Sequence, residues 1–307
     1  MLSSFPQWQS SRLAWDRLIH PRPVLVMISN GGLSICWRGA RGWTFRCADL
    51  SAGSCRDGMP KAREAIGELI ADLLFDVELP GAELVLSLPP AAASWRVLDG
   101  LSCDVEAMPD LRRELPGSLD LPFSLDQSYL MTSVIGDSVA VCGTSRALIQ
   151  AWVDIVEIAD LPLRRISWSL TDALNGLRQI TQDWSGDLAW LLLHDGRARL
   201  ILMRDRIPEI DRTFSSNDVD VCIAETRALI RSWQQKLNAP RPLGWWFTLE
   251  DPSRRDWLQL VDAEAGEQSL NRPLAWSPDP WTESAGAEVL SPLAHLVLGQ
   301  LHEEECW

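Results

Sequence analysis

The stretch VLVMISNGGLSICWRG, Val24 to Gly39, governs how the rest of the chain is read. An apolar run leads into a glycine turn, and a second apolar run follows with a small hydroxyl residue, Ser34, near its start. Short apolar runs bounded by turn residues read as strands, here Val24–Ser29 and Leu33–Trp37. The backbone N–H groups of such a turn can cradle an anion. Whether this one does so is the question the sequence poses.

Working outward, Trp43–Cys47 supplies a third strand. The segment KAREAIGELIADLLF then places Ile66, Leu69, Ile70, Leu73 and Leu74 on one face of a helix. ELVLSLPP is a strand closed by Pro89 and Pro90, so the opening unit reads β-β-β-α-β. From about Ser94 to Gly143 the pattern is interrupted by SWRVLDGL, a polar segment PDLRRELPGSL, and two β-runs meeting at Gly136-Asp137. We read this as an inserted subdomain. A helix capped by Thr144 or Ser145 follows, with Leu148, Ile149, Trp152, Ile155 and Val156 as its buried stripe, ending near Asp160.

The second half repeats the opening. DLAWLLL and ARLILM are joined by the turn His194-Asp195-Gly196-Arg197, and RIPEI is a third strand. Asn217 or Asp218 caps a helix with Cys222, Leu229, Trp233 and Leu237 on one face, and LGWWFTL is a buried strand. After an irregular acidic stretch (262–288), Ser291 and Pro292 open a last helix lined by Leu293, Leu296, Val297 and Leu301. A β-β-β-α-β unit used twice predicts an α/β protein of two related lobes across a cleft, the plan of the actin-like (ribonuclease H-like) fold. The expected divisions are an N-terminal extension (1–23), a first lobe (24–166) carrying a small α+β insertion (about 94–143), and a second lobe (167–307).

At 307 residues with 46% hydrophobic and 23% charged residues, the composition is that of a soluble globular protein. A net charge of −14 repels nucleic-acid phosphate and anionic lipid headgroups, which argues against direct binding to either. No run reaches the roughly 20 apolar residues that span a bilayer, and the N-terminus lacks the apolar core of a secretory signal. Direct membrane insertion is therefore not expected, and a membrane role would pass through a protein partner. Seven cysteines with no C-x-x-C pair fit a reduced, cytoplasmic setting, with Cys36, Cys47, Cys142 and Cys222 as small apolar filler. Sixteen tryptophans against one tyrosine name no ligand.

The order of these pieces resembles the PilM family, the actin-like proteins of type IV pilus assembly, and more distantly the cytoplasmic part of the secretion protein GspL. ELVLSLPP is similar to the strand leading into that family's insertion. Met108-Pro109, Leu111 to Leu115 and Leu121-Pro122-Phe123 resemble the insertion's helix and signature, and RALIQAWVDIVEIADLPLRRISWSLTDAL the passage into the second lobe. The resemblance implies a scaffold that sits at the cytoplasmic side of the inner membrane. It grips the N-terminal tail of a single-pass partner, PilN, in a groove between the first lobe and the insertion. Trp95, Leu115 and Phe123 are the candidate groove residues. Other pilus platform components are further candidate partners.

The resemblance also implies ATP between the lobes, with an aspartate at the end of the first strand orienting water on magnesium. By position the nucleotide set is Ser29, Asn30, Gly31, Gly32 and Ser34, then His194 and Gly196 in the second lobe. The first aspartate falls on Ser29 or Asn30. The second falls on Leu192, counting back from Arg212, or on His194, aligning turn on turn; Asp195 would need a one-residue slip that turns it to the other strand face. The glycine pairs expected after RIPEI and near LGWWFTLEDPS are absent, and two indoles at Trp245 and Trp246 would fill a base pocket. The expectation is a pseudo-ATPase with no cofactor.

Other chemistry is thin. His194 reads as a solvent-facing turn residue, His295 as a packed helix residue, and His302 to Cys306 as a frayed acidic end. Arg204, Asp205, Arg206, Glu209, Asp211 and Arg212 read as a solvated alternating-charge strand. No zinc spacing, P-loop or G-x-S-x-G turn is present. The expected function is a pilus or competence adaptor. The alternatives are an active actin-like ATPase or small-molecule kinase with divergent motifs, and a type II secretion component, against which stands the lack of a membrane segment.

Overall fold

The structure is a computed structural model describing residues 22–39, 42–99, 124–135, 138–216, 218–235, 241–248, 257, 271–273 and 290–303. The first lobe opens with β1 (Pro23–Ile28), β2 (Gly32–Arg38) and β3 (Trp43–Asp49), then a small hairpin, β4 (Cys55–Arg56) and β5 (Met59–Pro60). Helix α1 (Arg63–Asp76) and strand β6 (Glu83–Leu88) follow. The inserted region contributes β7 (Ala93–Asp99), β8 (Ser128–Ile135) and β9 (Ser138–Ser145), and α2 (Arg146–Ile158) and β10 (Leu163–Trp168) return the chain to the first sheet. Then come α3 (Ser169–Ile180), β11 (Asp187–His194), β12 (Arg197–Arg204), β13 (Ile207–Thr213), α4 (Val219–Gln234), β14 (Leu243–Thr248), β15 (Asn271–Pro273) and α5 (Pro292–Glu303).

Two five-stranded sheets share one plan. The first runs β3-β2-β1-β6-β10 and the second β13-β12-β11-β14-β15. In each, three consecutive antiparallel strands are followed by two that pair in parallel after crossovers. The doubled unit expected from the sequence is therefore present. The small β4–β5 hairpin was not anticipated, because two-residue strands leave no periodicity to read. The inserted strands form a separate sheet in the order β7-β9-β8.

The layers follow from which strand face is apolar. Val24, Val26, Leu84 and Leu86 turn to α1 and α2, whose Ile66, Ile70, Trp152 and Ile155 complete that core. On the second sheet, Ala189, Leu191, Leu200 and Trp245 pack with Ile230 and Trp233 of α4. The opposite faces of both sheets, carrying Leu25, Met27, Val85, Trp190, Ile201 and Trp246, share one cluster with α3 and α5. Those two helices lie along each other at the centre of the molecule. Central strands buried on both faces read as continuous apolar runs, which is why β1, β6, β11 and β14 were legible.

Local capping partly departs from expectation. Asp218 caps α4, accepting from the N–H groups of Asp220 and Val221, and Ser291 accepts from Ala294 N–H at α5. At α2 neither expected hydroxyl caps the helix: Ser145 occupies the cap position without a side-chain bond, and Thr144 Oγ1 donates to the Ala92 carbonyl instead. Asn217, Leu237, the Gly136-Asp137 turn and the stretch 262–270 lie outside the described residues.

Candidate functional site

Two cavities flank the junction between the lobes. The first, of about 330 Å³, lies in the cleft, with Asn30, Asp57, Pro90, Leu192, His194 and Arg199 among its walls. The hairpin between β11 and β12 pairs His194 with Arg197, so Asp195 and Gly196 form a two-residue turn. Both adopt positive φ, 51° and 72°, which the Asp-Gly pair accommodates. A second Asp-Gly turn, Asp57-Gly58, caps the β4–β5 hairpin with φ of 52° and 81°.

These two tips converge on the first glycine turn. Asn30 donates its backbone N–H to both carboxylate oxygens of Asp195, at 3.1 and 3.2 Å. The Asn30 side-chain oxygen accepts from the Asp57 N–H at 2.9 Å, and Arg197 Nη1 pairs with Asp57 at 2.9 Å. His194 Nε2 stands 3.3 Å from Asp195 Oδ2. A carboxylate from the second lobe thus holds an amide of the turn that the sequence marks as an anion cradle.

Asp195 reaches the cleft without a register slip, because a type I′ turn releases its side chain from the strand's alternation. His194 is not solvent-facing; its side chain is 16% exposed and borders the cavity. Of the residues expected around a nucleotide, Asn30 and His194 line this cavity, and Leu192, the other register, does too. Ser29 instead closes its own turn, accepting from Gly32 N–H at 2.9 Å and donating to the Gly32 carbonyl at 3.1 Å. Ser34 faces Cys47, with Oγ and Sγ 3.3 Å apart. Around Gly31 there is open space, and Gly196 serves the turn geometry. Trp245 and Trp246 do not fill the cleft: successive residues of β14 point to opposite faces, so they enter the two cores on either side of the sheet.

The second cavity is a groove of about 690 Å³ between the inserted sheet and the junction of β10 with α3. Trp95, Val97, Leu130 and Ala140 come from the sheet side, and Ile166, Trp168 and Leu174 from the other. Arg165, Asp172 and Arg178 add charge to an otherwise apolar lining. Met131, 74% exposed, and Tyr129, 50% exposed, stand at its β8 side. Of the three residues expected in a groove, Trp95 lines this one, while Leu115 and Phe123 lie outside the described residues. Burial pushes the Cys142 thiol in the groove up to about 12, against a smaller lowering influence of Arg199. It is therefore a neutral wall residue at ordinary pH.

A polar node separates the two cavities. Arg199 donates from Nε to Asp211 Oδ1 at 2.7 Å, from Nη2 to Asp211 Oδ2, and from Nη1 to the Pro90 carbonyl at 3.1 Å. Trp95 Nε1 also donates to Asp211, and Trp168 Nε1 donates to the Pro90 carbonyl at 3.3 Å. Trp95 and Trp168 meet edge to face at 5.4 Å, and the Arg199 guanidinium lies 5.7 Å from the Trp168 ring. The alternating-charge run is thus solvated only in part: Asp205, Arg206, Glu209 and Arg212 are exposed, while Arg204 and Asp211 are turned inward. Asp211 is largely buried, and Glu209 accepts from Trp233 Nε1 at 2.6 Å. Asp57, Arg199 and Trp168 were not among the expected site residues, and Asp195 entered only as an alternative needing a register slip, Arg197 as a turn residue and Asp211 as part of a surface charge run. The two Asp-Gly pairs were the one local signal available; the rest meet only across the folded chain.

No protein-family model and no characterised protein sequence matches the chain. Solved structures do. A chain of the "PilM-PilN type IV pilus biogenesis complex" is similar with a TM-score of 0.64 at 16% identity, covering 92% of this chain and 98% of that one. The cytoplasmic domain of EpsL, an inner membrane component of the type II secretion system of Vibrio cholerae, is similar with a TM-score of 0.51 at 11% identity, covering 92% and 96%. A Bacteroides thetaiotaomicron protein with an actin-like ATPase fold and unknown function matches with a TM-score of 0.50 at 7% identity, covering 84% and 91%. The fold is therefore actin-like, as the doubled unit indicated. Among the described residues no helix is long and apolar enough to cross a membrane.

Proposed function

We propose that the chain is an adaptor of a type IV pilus or competence machine that holds the N-terminal tail of a PilN-like inner-membrane protein in the groove beside the inserted sheet. It works without ATP hydrolysis, in the cytoplasm, and reaches the membrane only through that partner. The observation that carries this reading is the groove itself. A cavity of about 690 Å³ walled by Trp95, Trp168, Val97, Ala140 and Leu174 is sized for a few apolar side chains of a peptide. The likeness in fold to a chain of the PilM-PilN complex supports it.

The cleft supports the pseudo-ATPase part. Mg·ATP fits this donor set poorly. The Asn30 amide is already bound by the Asp195 carboxylate, which repels phosphate, and Asp57 is paired with Arg197. A phosphate would have to displace an anion tethered to the same protein, and magnesium would have to draw a carboxylate out of its existing bonds. A type II secretion role is the second reading, favoured by the likeness to the EpsL domain.

The test is a thermal melt with Mg·ATP and, separately, with synthetic N-terminal tails of PilN-like and secretion-type partners. A ligand at about a hundredfold excess over its Kd adds about 2.7 kcal/mol of stability. The pilus tail should raise the melting temperature, and Ala140→Trp, which fills the groove, should abolish that rise. A shift with Mg·ATP alone would show that the cleft takes nucleotide after all, phosphate release on top of it would sink the pseudo-ATPase reading, and a tail shift that survives Ala140→Trp would move the docking site elsewhere.

A further inference from the structure

The cleft and the groove share a wall, and the wall is built from both lobes. Arg199 and Asp211 belong to β12 and β13 of the second sheet, Trp168 ends β10 of the first sheet (two residues past the boundary expected at 166), Pro90 follows β6 of that sheet, and Trp95 belongs to the inserted sheet. Arg199 borders the cleft cavity, while Trp95 and Trp168 border the groove. Ala93, at the start of β7, borders both. On the far side of the cleft cavity stand the other bonds between lobes, from Asn30 to Asp195 and from Asp57 to Arg197. Beside the core that both sheets share with α3 and α5, polar bonds among the described residues thus tie the lobes at the rim and at the groove wall.

We infer that the Arg199–Asp211 pair couples the groove to closure of the cleft, so that the state with Asp195 seated on the Asn30 amide is the one whose groove is formed. The docking role of the groove rests on the function proposed above; the coupling itself does not. Consider what parting the lobes would do. Arg199 and Asp211 are neighbours on paired strands and would move together, keeping their own bonds. The losses fall on the other side: Trp95 Nε1 loses Asp211, and the Pro90 carbonyl loses Arg199. Trp95 is only 5% exposed, so an indole N–H stranded there must turn toward water or another acceptor. Turning that ring removes one wall of the groove and its edge contact with Trp168.

The same bonds act in reverse. A side chain seated against Trp95 and Trp168 keeps the indole on Asp211 and so keeps the lobes together, which holds Asp195 over the first turn. Coupling between two sites is reciprocal by thermodynamic necessity. In this chain the second lobe's own carboxylate takes the part of the closing ligand.

Native-state hydrogen exchange tests this without any partner tail. Asp195→Gly keeps the left-handed turn and deletes the carboxylate; Trp95→Phe keeps a ring and deletes the indole N–H. Asp195→Gly should speed exchange in the inserted strands β7 and β9 by about fivefold or more, the lower end of ordinary coupling between sites. Trp95→Phe should speed exchange at the Asn30 amide to a similar degree, and the double variant should add little to either single effect. Exchange in β1 and β11 should speed only as far as each variant's loss of global stability in urea requires, and the inserted strands and the Asn30 amide should speed beyond it, which separates coupling from general loss of stability. Arg63→Gln, which breaks the Arg63–Asp154 pair between α1 and α2, should leave Asn30 and β7 alone. Effects confined to the mutated side, or fully additive in the double variant, would overturn the coupling whether or not a tail binds. A tail that fails to bind while the exchange effects appear would instead count against the proposed function alone.

Discussion

Asp195 holds a left-handed backbone at φ 51° and sends its carboxylate to the opposite lobe, so two substitutions can separate those roles. Asp195→Gly tolerates the backbone and loses only the acceptor for the Asn30 N–H. A hydrogen bond to a charged group at a part-exposed site is worth about 1 kcal/mol or a little more, and that much stability should go. Asp195→Ala should lose about 1–2 kcal/mol further, because a Cβ disfavours the left-handed region. Urea denaturation measures both. A glycine variant as stable as the parent would mean that the carboxylate does not seat on the turn in solution. The sequence displayed Asp195 openly, in a plain Asp-Gly hairpin signal, yet strand alternation argued it away from the cleft. Alternation applies to strands, and the residue belongs to the turn.

Between elements, the tightest test is where α1 meets α2. A Cβ at Gly67 would stand 2.8 Å from Ile158 Cγ2 and 3.0 Å from the Ile155 carbonyl, so the glycine sets how closely the helices approach. Gly67→Ala should gain about 1 kcal/mol of helix propensity and lose about 1–3 kcal/mol to overpacking. A lowered melting temperature is the expected result, and a raised one would show that the helices can part without cost. At the start of β11, Asp187 is fully buried with Arg241 at 3.5 Å and Arg204 at 3.9 Å. Burial raises its carboxyl above the ordinary value, and the two arginines only partly offset this. A raised folded-state value means the native state holds its proton to higher pH than the unfolded chain. This group's contribution is therefore fully present below the ordinary carboxylate value of about 3.9 and is lost as pH rises through the folded one. Asp187→Asn should flatten that fall: the difference in urea midpoint between variant and parent should move in the variant's favour as pH rises through the window. A pH-independent difference would show that Asp187 titrates normally.

Across the whole molecule, both sheets lay one face on the α3–α5 pair, so neither lobe owns a complete core. Unfolding should therefore follow a single transition, with tryptophan fluorescence and far-ultraviolet circular dichroism giving one midpoint. The indoles suit the test, since Trp152 lies in the first lobe's outer core, Trp233 and Trp245 in the second's, and Trp43 and Trp190 in the core they share. Two separated midpoints would mean that the central helices stay with one lobe while the other melts.

What the sequence determined by itself is what repeats along the chain or is settled by neighbours. Continuous apolar strands, helices with a spaced apolar face, and turns with an Asp-Gly pair are local matters, and two matching units in order imply two matching lobes. That neither Ser29–Asn30 nor Leu192 or His194 carries a carboxylate was likewise visible without coordinates. Only the tertiary structure decided that Asp195 would seat on the Asn30 amide, that Asp211 would leave the surface for Arg199 and Trp95, and that Trp245 and Trp246 would pack away from the cleft. Those outcomes join residues 30 with 195, 95 with 211 and 90 with 199. A charge or an indole shows its role only once burial has chosen its partner, and that choice is made by the packing of one lobe against the other.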